Sequence, residues 1–171
     1  MSDKFPKLTL VLGGANSGKS AFAERLTRAA GLPKTYVATA QAFDDEMRAK
    51  IAKHRVDRGD DWDTVEAPMD IASALGNGVT LVDCLTLWLS NHILADADPD
   101  TPAFLAAGVP PVVCVSNEAG LGVVPDNAMA RKFRSMQGQL NQDIAAKADL
   151  VVLVTAGIPM VLKGRLPASM T

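Results

Sequence analysis

An octapeptide with the sequence Gly-Gly-Ala-Asn-Ser-Gly-Lys-Ser, residues 13–20, directly follows a short apolar run near the start of the chain. It matches the P-loop pattern G-x-x-x-x-G-K-[ST], in which backbone N–H groups surround a phosphate. Average residue frequencies put a chance match at roughly 1% or less for a chain of this size. The predicted nucleotide contacts are Gly13, Gly14, Ala15, Asn16, Ser17, Gly18, Lys19 and Ser20. Lys19 is expected to act on the β- and γ-phosphates, and Ser20 to bind Mg²⁺.

Short apolar runs alternate with amphipathic segments along the rest of the chain. We predict strands over 8–12, 34–40, 79–82, 112–116 and 150–155, and helices over 18–30, from 44 onward, 85–94 and 128–148. The segment 96–111 is rich in proline and is predicted to be mostly loop. Alternating strands and helices predict an α/β, P-loop NTPase-like fold with a mostly parallel sheet and helices on both faces. A length of 171 residues fits a single domain, residues 1–171.

The composition and net charge argue against some classes of binding partner. Hydrophobic residues make up 48% of the chain, which is enough for a buried core, and the net charge of −2 offers no basic surface for nucleic acid or an anionic membrane. Cys84 and Cys114 lie in apolar runs and are interpreted as buried, reduced thiols. The first residues lack the apolar segment of a signal peptide, and we therefore expect a cytoplasmic protein.

Asp83 stands at the end of the apolar run 79–82. A carboxylate in that position holds Mg²⁺ in many P-loop proteins. The alternative is that Asp83 caps the helix predicted from Leu85, a role that aspartate also serves well. The two roles are compatible, and the sequence leaves both open.

His54 is one of two histidines and shares a predicted helix face with Lys50 and Arg58, at a spacing of four residues. One interpretation is a solvated basic face. The other is a nucleophile for a phosphate, because neighbouring cations favour the neutral imidazole. The pattern alone does not decide between them. The second histidine, His92, is interpreted as a structural or surface residue.

The guanine-reading motif N-K-x-D is absent from the sequence. If guanine is bound, a different carboxylate must accept from its N1–H and 2-amino groups, and Glu66 and Glu118 are the candidates. Glu66 could equally be a plain surface residue. Glu118 could instead accept a proton from an attacking hydroxyl, with Arg131 and Arg134 near a phosphate. The alternative for that cluster is a helix cap at Asp126 with ordinary surface arginines.

Four segments together resemble one family: GGANSGKS, YVATAQAFDDEMRAKIAKHR, LVDCLTLWLSN and SNEAGLGVVPDNAMARKFRSMQGQLNQDIA. From about Leu8 to Lys163 the chain is similar to the bifunctional adenosylcobinamide kinase / adenosylcobinamide-phosphate guanylyltransferases of cobalamin biosynthesis. The resemblance implies a transferase with two reactions at one nucleotide site. The γ-phosphate of ATP or GTP passes to adenosylcobinamide, and a histidine then attacks the α-phosphate of GTP. The guanylyl-histidine gives its GMP to adenosylcobinamide phosphate, which yields adenosylcobinamide-GDP.

The resemblance also implies roles for particular residues. His54 matches the family's nucleophile, which favours that role over a solvated face, and Lys19 is catalytic in phosphate transfer. Mg²⁺ is expected on Ser20 and Asp83, with GTP and ATP as substrates. Adenosylcobinamide and its phosphate are the expected partners, and we expect a homo-oligomer, for example a trimer. Beyond the loop, the implied nucleotide contacts are Thr39, Ala40, Gln41, Arg55, Val56, Asp57, Arg58, Glu66 and Asp83.

The sequence departs from the family in two places, and two other classes of function are considered. Asn16 stands where the family usually has arginine, and the segment 92–111 is shorter than we expect for the family. The first alternative is a P-loop kinase of a small molecule without guanylyl transfer. The second is a nucleotide-dependent assembly or regulatory protein, against which the absent N-K-x-D motif and the His54 segment both count.

Overall fold

A computed structural model of the chain describes residues 4–41, 56, 59–99 and 110–170. Within these ranges the chain forms one seven-stranded sheet of order β3-β2-β4-β5-β1-β6-β7. Strands β1 to β6 pair in parallel, and β7 pairs antiparallel with β6. The strands are β1 (Leu8–Gly13), β2 (Lys34–Ala38), β3 (Asp63–Glu66), β4 (Val79–Asp83), β5 (Val112–Asn117), β6 (Leu150–Thr155) and β7 (Ile158–Lys163).

Helices cover both faces of this sheet. On one face lies α1 (Lys19–Ala29), whose Phe22 and Leu26 are buried against side chains of the central strands. On the other face lie α2 (Leu85–Leu94) and α3 (Ala128–Lys147), which contribute buried leucine, isoleucine and tryptophan side chains to a second core cluster. The prediction of a mostly parallel sheet between two helical layers is confirmed.

The central strands are apolar without interruption because both of their faces are buried. In β1, the adjacent residues Leu10 and Val11 are both 0% exposed and belong to the two different core clusters. Side chains alternate between the faces of a strand, so each cluster receives every second residue. Burial of each such side chain stabilises the fold by about 1.5–3 kcal/mol.

The predicted strands and helices within the described ranges are confirmed to within two residues, and two strands were missed. β3 is a short edge strand whose polar residues are exposed or half-buried, and all six residues of β7 are exposed. β3 lacks the apolar run that marks a buried strand, whereas β7 is an apolar run that contains Pro159, and sequence reasoning missed it. The helix predicted from residue 44 onward lies outside the described residues, as does most of the predicted loop 96–111.

Local predictions outside the site had mixed outcomes. The cap of α3 is Asn127, whose Oδ1 accepts from the N–H of Ala130 at 2.8 Å, so the alternative of a cap at Asp126 is wrong. His92 is buried, with Nδ1 2.9 Å from the carbonyl oxygen of Trp88, which confirms a structural role.

The two cysteines are free and buried, as predicted. Burial raises the pKa of the Cys114 thiol to about 12, so this thiol stays protonated. Among the helices of the described ranges, none has the length and apolarity needed to cross a membrane.

Candidate functional site

The carboxyl ends of the parallel strands bring the predicted site residues to one edge of the sheet. Gly13, the last residue of β1, pairs with Asn117 at the end of β5. Ala38, the last residue of β2, pairs with both Asp83 and Glu66, the last residues of β4 and β3. Ligands of open α/β sheets bind at this edge, so the fold supports a site here.

The loop between β1 and α1 has an exposed backbone held in a tight turn. The N–H of Ser17 donates to the carbonyl oxygen of Gly14 at 3.3 Å, and Asn16 and Gly18 have φ angles of 54° and 90°. Left-handed backbone suits glycine and is tolerated by asparagine, so the asparagine at position 16 fits the loop. Lys19 Nζ donates to the carbonyl oxygen of Gly14 at 3.1 Å, which folds its ammonium group over the loop.

The first glycine of the loop has no room for a side chain. A Cβ built on Gly13 would lie 2.3 Å from Ser17 Oγ and 2.6 Å from the carbonyl oxygen of Val154. A Cβ on Gly14 would meet nothing within 4 Å. We therefore expect Gly13→Ala to destabilise the protein by about 1–3 kcal/mol and to lose nucleotide binding, because overpacking displaces the loop. Gly14→Ala is the matched control for packing and should keep the stability of the wild type, measured by thermal unfolding; an equal loss of stability in the two variants would contradict the prediction.

The turn between β6 and β7 supports the loop from the outer side, which the sequence did not reveal. The N–H of Gly157 donates to the carbonyl oxygen of Ser17 at 2.8 Å. A Cβ on Gly18 would lie 3.1 Å from Gly157 Cα, so the two backbones are in close contact. Within the described ranges, the buried Ser17 Oγ has no hydrogen-bond partner.

Asp83 is held in place by a side chain of the neighbouring strand. Tyr36 donates its hydroxyl hydrogen to Asp83 Oδ2 at 3.0 Å. The cap position of α2 is occupied by Cys84 and carries no side-chain cap, so the alternative of Asp83 as a helix cap is wrong. Asp83 is therefore a half-buried residue at the carboxyl end of β4 without a capping role.

Thr39 secures the turn that follows Asp83. Its hydroxyl donates to the carbonyl oxygen of Cys84 at 2.7 Å and accepts from the N–H of Cys84 at 2.8 Å. Asn91 Nδ2 in turn donates to the carbonyl oxygen of Thr39 at 2.8 Å, a role that sequence reasoning missed. The side chain of Thr39 is thus committed inside the protein, whereas Ala40 and Gln41, which follow it, are half-buried.

Electrostatics connect the loop with this turn. Burial raises the pKa of the Cys84 thiol, and the negative charge of Asp83 raises it further. The positive charge of Lys19 acts in the opposite direction, which indicates that its ammonium group lies within electrostatic reach of the turn after Asp83. Cys84 therefore stays a protonated thiol and is no candidate for a nucleophile.

A buried polar cluster stands behind the end of β5, and sequence reasoning missed it. Ser116 Oγ donates to Asn141 Oδ1 at 2.6 Å, and Gln137 Nε2 donates to Ser116 Oγ at 2.9 Å. Asn141 also donates to the carbonyl oxygen of Asn117 at 3.1 Å. The N–H of Glu118 donates to the carbonyl oxygen of Gly13 at 3.1 Å. These bonds fix α3 and the end of β5 beside the nucleotide loop.

The remaining predicted site residues are partly described by the structure. Glu66 is exposed at the end of β3, on the same edge as the loop, and Val56 is 80% exposed. His54, Arg55, Asp57 and Arg58 lie outside the described residues. Within the described ranges, no group of three or more His, Cys, Asp or Glu side chains could by itself hold a metal ion.

Comparison with known proteins identifies related sequences. Residues 9–162 match the model of a family described as cobinamide kinase / cobinamide phosphate guanyltransferase. The bifunctional adenosylcobalamin biosynthesis protein CobP of Pseudomonas aeruginosa is 46% identical, over 91% of this chain and 96% of that protein. The bifunctional adenosylcobalamin biosynthesis protein CobU of Escherichia coli is 36% identical, over 91% and 99% of the two chains.

Solved structures with low sequence identity share the fold. The flagellar accessory protein FlaH of Methanocaldococcus jannaschii superposes with a TM-score of 0.52 at 14% identity, over 94% of this chain and 80% of that one. An ATPase from the type III secretion system of pathogenic bacteria gives a TM-score of 0.52 at 11% identity, over 90% and 54% of the two chains. Both neighbours support a P-loop NTPase fold.

Proposed function

Because this chain belongs to the family of cobinamide kinases and cobinamide phosphate guanylyltransferases, we propose that one nucleotide site on residues 13–20 serves both reactions. The chain is a bifunctional enzyme of adenosylcobalamin biosynthesis that phosphorylates cobinamide and transfers a guanylyl group to cobinamide phosphate. The observation that carries the single site is the exposed loop between β1 and α1, with the Lys19 ammonium folded over it. The sequence contains one loop of this pattern, so ATP and GTP would share it.

In the kinase reaction, the terminal hydroxyl of cobinamide attacks the γ-phosphorus and the bond to the β–γ bridging oxygen breaks. Lys19 would stabilise the charge that develops on the phosphate oxygens. Glu118 would accept the proton of the attacking hydroxyl, a proposal supported by its backbone bond to Gly13. Its carboxylate oxygen Oε1 accepts from the N–H of Gly120 at 2.8 Å, which orients the side chain.

Mg²⁺ fits the oxygen donors that this edge offers. Ser20 supplies a hydroxyl and Asp83 a carboxylate, which are ligands of the hard type that Mg²⁺ prefers, and the remaining positions would be filled by phosphate and water. The Tyr36 hydroxyl donates to the Asp83 carboxylate and so orients it. When bound, the ion would neutralise phosphate charge.

We expect Asp83→Ala to raise the Mg²⁺ concentration required for half-maximal nucleotide binding by about tenfold or more, because a carboxylate contact is lost. Tyr36→Phe should show a smaller shift in the same direction, since the carboxylate remains but loses its orienting bond. Titration of nucleotide affinity against Mg²⁺ measures both. An unchanged Mg²⁺ dependence in Asp83→Ala would remove Asp83 from the metal site.

In the guanylyltransferase reaction, we propose that a nitrogen of His54 attacks the α-phosphorus of GTP and that pyrophosphate leaves. A phosphate oxygen of cobinamide phosphate then attacks the same phosphorus, and the histidine nitrogen leaves. The support is the family resemblance and the spacing of His54 with Lys50 and Arg58. Arg55 and Arg58 would stabilise the transferring charge.

Guanine would be read by Glu66, whose exposed carboxylate lies at the end of β3 on the edge of the loop. The family resemblance also supports further nucleotide contacts from Thr39, Ala40, Gln41, Val56 and Asp57. Because the Thr39 hydroxyl is committed to Cys84, its contact would need a small rearrangement.

The resemblance further supports a cytoplasmic, homo-oligomeric enzyme. The exposed apolar side chains of β7, Ile158, Met160 and Leu162, offer a surface on which a second copy could pack.

A further inference from the structure

A groove of about 370 Å³ lies between the loop that follows β5 and the outer side of α3. Its lining includes Val124 from the loop, and Arg131, Arg134, Ser135, Gln139 and Gln142 from the helix. The chain links the groove to the nucleotide site, because Gly120 in its wall comes two residues after Glu118, whose N–H donates to Gly13 of the nucleotide loop.

Two arginines of the groove are fixed by backbone oxygens. Arg131 Nη1 donates to the carbonyl oxygens of Pro125 and Asp126 at 3.0 and 2.7 Å, and Arg134 Nη2 donates to that of Gly120 at 2.5 Å. Neither guanidinium forms an ion pair with a carboxylate in the described part of the chain. Each guanidinium carries five N–H groups, so both retain donors for a ligand.

The loop beside these arginines presents apolar side chains to water. Leu121 is 85% exposed, Val123 95% and Val124 65%. These three apolar side chains are exposed, so they contribute little buried surface to the fold of the chain itself. Exposed apolar patches rimmed by polar groups mark binding surfaces.

We propose that this groove binds the corrin portion of the acceptor, an inference that rests on the proposed function. A corrin ring has extensive apolar surface and carries neutral carboxamide side chains around its edge. Leu121 and Val123 would pack on the ring, while the guanidinium and glutamine groups would exchange hydrogen bonds with the carboxamides. The reacting end of the acceptor must reach the nucleotide loop, so its ring must lie outward from that loop, and the segment from Glu118 to Val124 leads from the loop to the groove.

The test is the double variant Leu121→Ser/Val123→Ser, assayed with cobinamide and with cobinamide phosphate. We expect the KM for both acceptors, and the dissociation constant of cobinamide measured from its visible absorbance, to rise at least tenfold. Nucleotide affinity should stay within twofold. Both side chains are almost fully exposed, so the substitutions should leave folding intact, which thermal unfolding checks. A second variant, Arg131→Gln, should weaken both acceptors in the same direction.

The matched control is Leu32→Ser/Leu94→Ser, which removes two exposed apolar side chains, one before β2 and one at the end of α2, and its acceptor KM should not change. Unchanged acceptor binding in the loop variant would overturn the proposal. A KM that rises for cobinamide phosphate alone would also overturn it, because the groove would then bind the phosphate. A fall in the mass of the assembled protein would overturn it as well, because the groove would then bind a second copy. Failure of the wild-type enzyme to modify cobinamide would instead refute the proposed function.

Discussion

Replacement of Lys19 by alanine is expected to reduce kinase turnover by at least about 10²–10³-fold and to weaken triphosphate binding. The size follows from the loss of one preorganised donor to a developing phosphate charge. Lys19 is the one charged side chain in residues 13–20, so no neighbour in the loop can replace it. Steady-state kinetics with cobinamide, together with titration of a non-hydrolysable nucleotide, measure the two effects.

Lys7→Ala is a suitable control for Lys19→Ala. Lys7 is exposed and precedes β1, at the end of that strand opposite the nucleotide loop. The Lys7→Ala substitution removes the same charge at a distance from the site, so this variant should keep wild-type kinetics. Normal turnover by Lys19→Ala would exclude the loop from phosphate transfer.

Replacement of His54 by alanine is expected to abolish covalent labelling of the protein by α-labelled GTP. The linkage in the wild type would be a phosphoramidate, so acid should remove the label and base should not. Kinase activity should persist in the variant, because γ-transfer to a hydroxyl needs no histidine intermediate. Labelling of the wild type should fall on acidification, since attack requires neutral imidazole.

The chain offers its own control for this experiment, because His92 is its second histidine. His92→Gln should keep the label at temperatures at which it stays folded. A label that persists in His54→Ala, or guanylyl transfer without His54, would contradict the intermediate. Absence of any label in an active wild-type kinase would favour the alternative of a kinase without guanylyl transfer.

The sequence predicted those elements whose residues form a recognisable local pattern. The central strands are buried on both faces and so appear as apolar runs, and the nucleotide loop is defined by its glycines and Lys19. Two edge strands were missed: β3 is short and polar and lacks that signal, whereas β7 is apolar in sequence, contains Pro159 and is nevertheless exposed along its whole length. β3 pairs with β2, which ends at Ala38, far earlier in the chain, whereas β7 pairs with β6 directly across the turn at residues 156 and 157.

The supporting contacts of the site could not be predicted because they join residues that are distant in the chain. Asn91 holds Thr39 across 52 residues, and Gln137 reaches Ser116 across 21. Such bonds depend on the register between elements, which no local pattern encodes. The choice between Asp83 as cap and Asp83 as a free carboxylate likewise required the position of Cys84 at the start of α2.

The contact of Gly157 with Ser17 has a consequence for the order in which the enzyme matures. The nucleotide loop leaves the ribosome before its outer support, which is made 140 residues later. β1 also waits for both of its neighbours, β5 and β6, which come from the later part of the chain. A nascent chain would therefore carry an intact phosphate-binding sequence without a phosphate-binding shape until synthesis has passed β6.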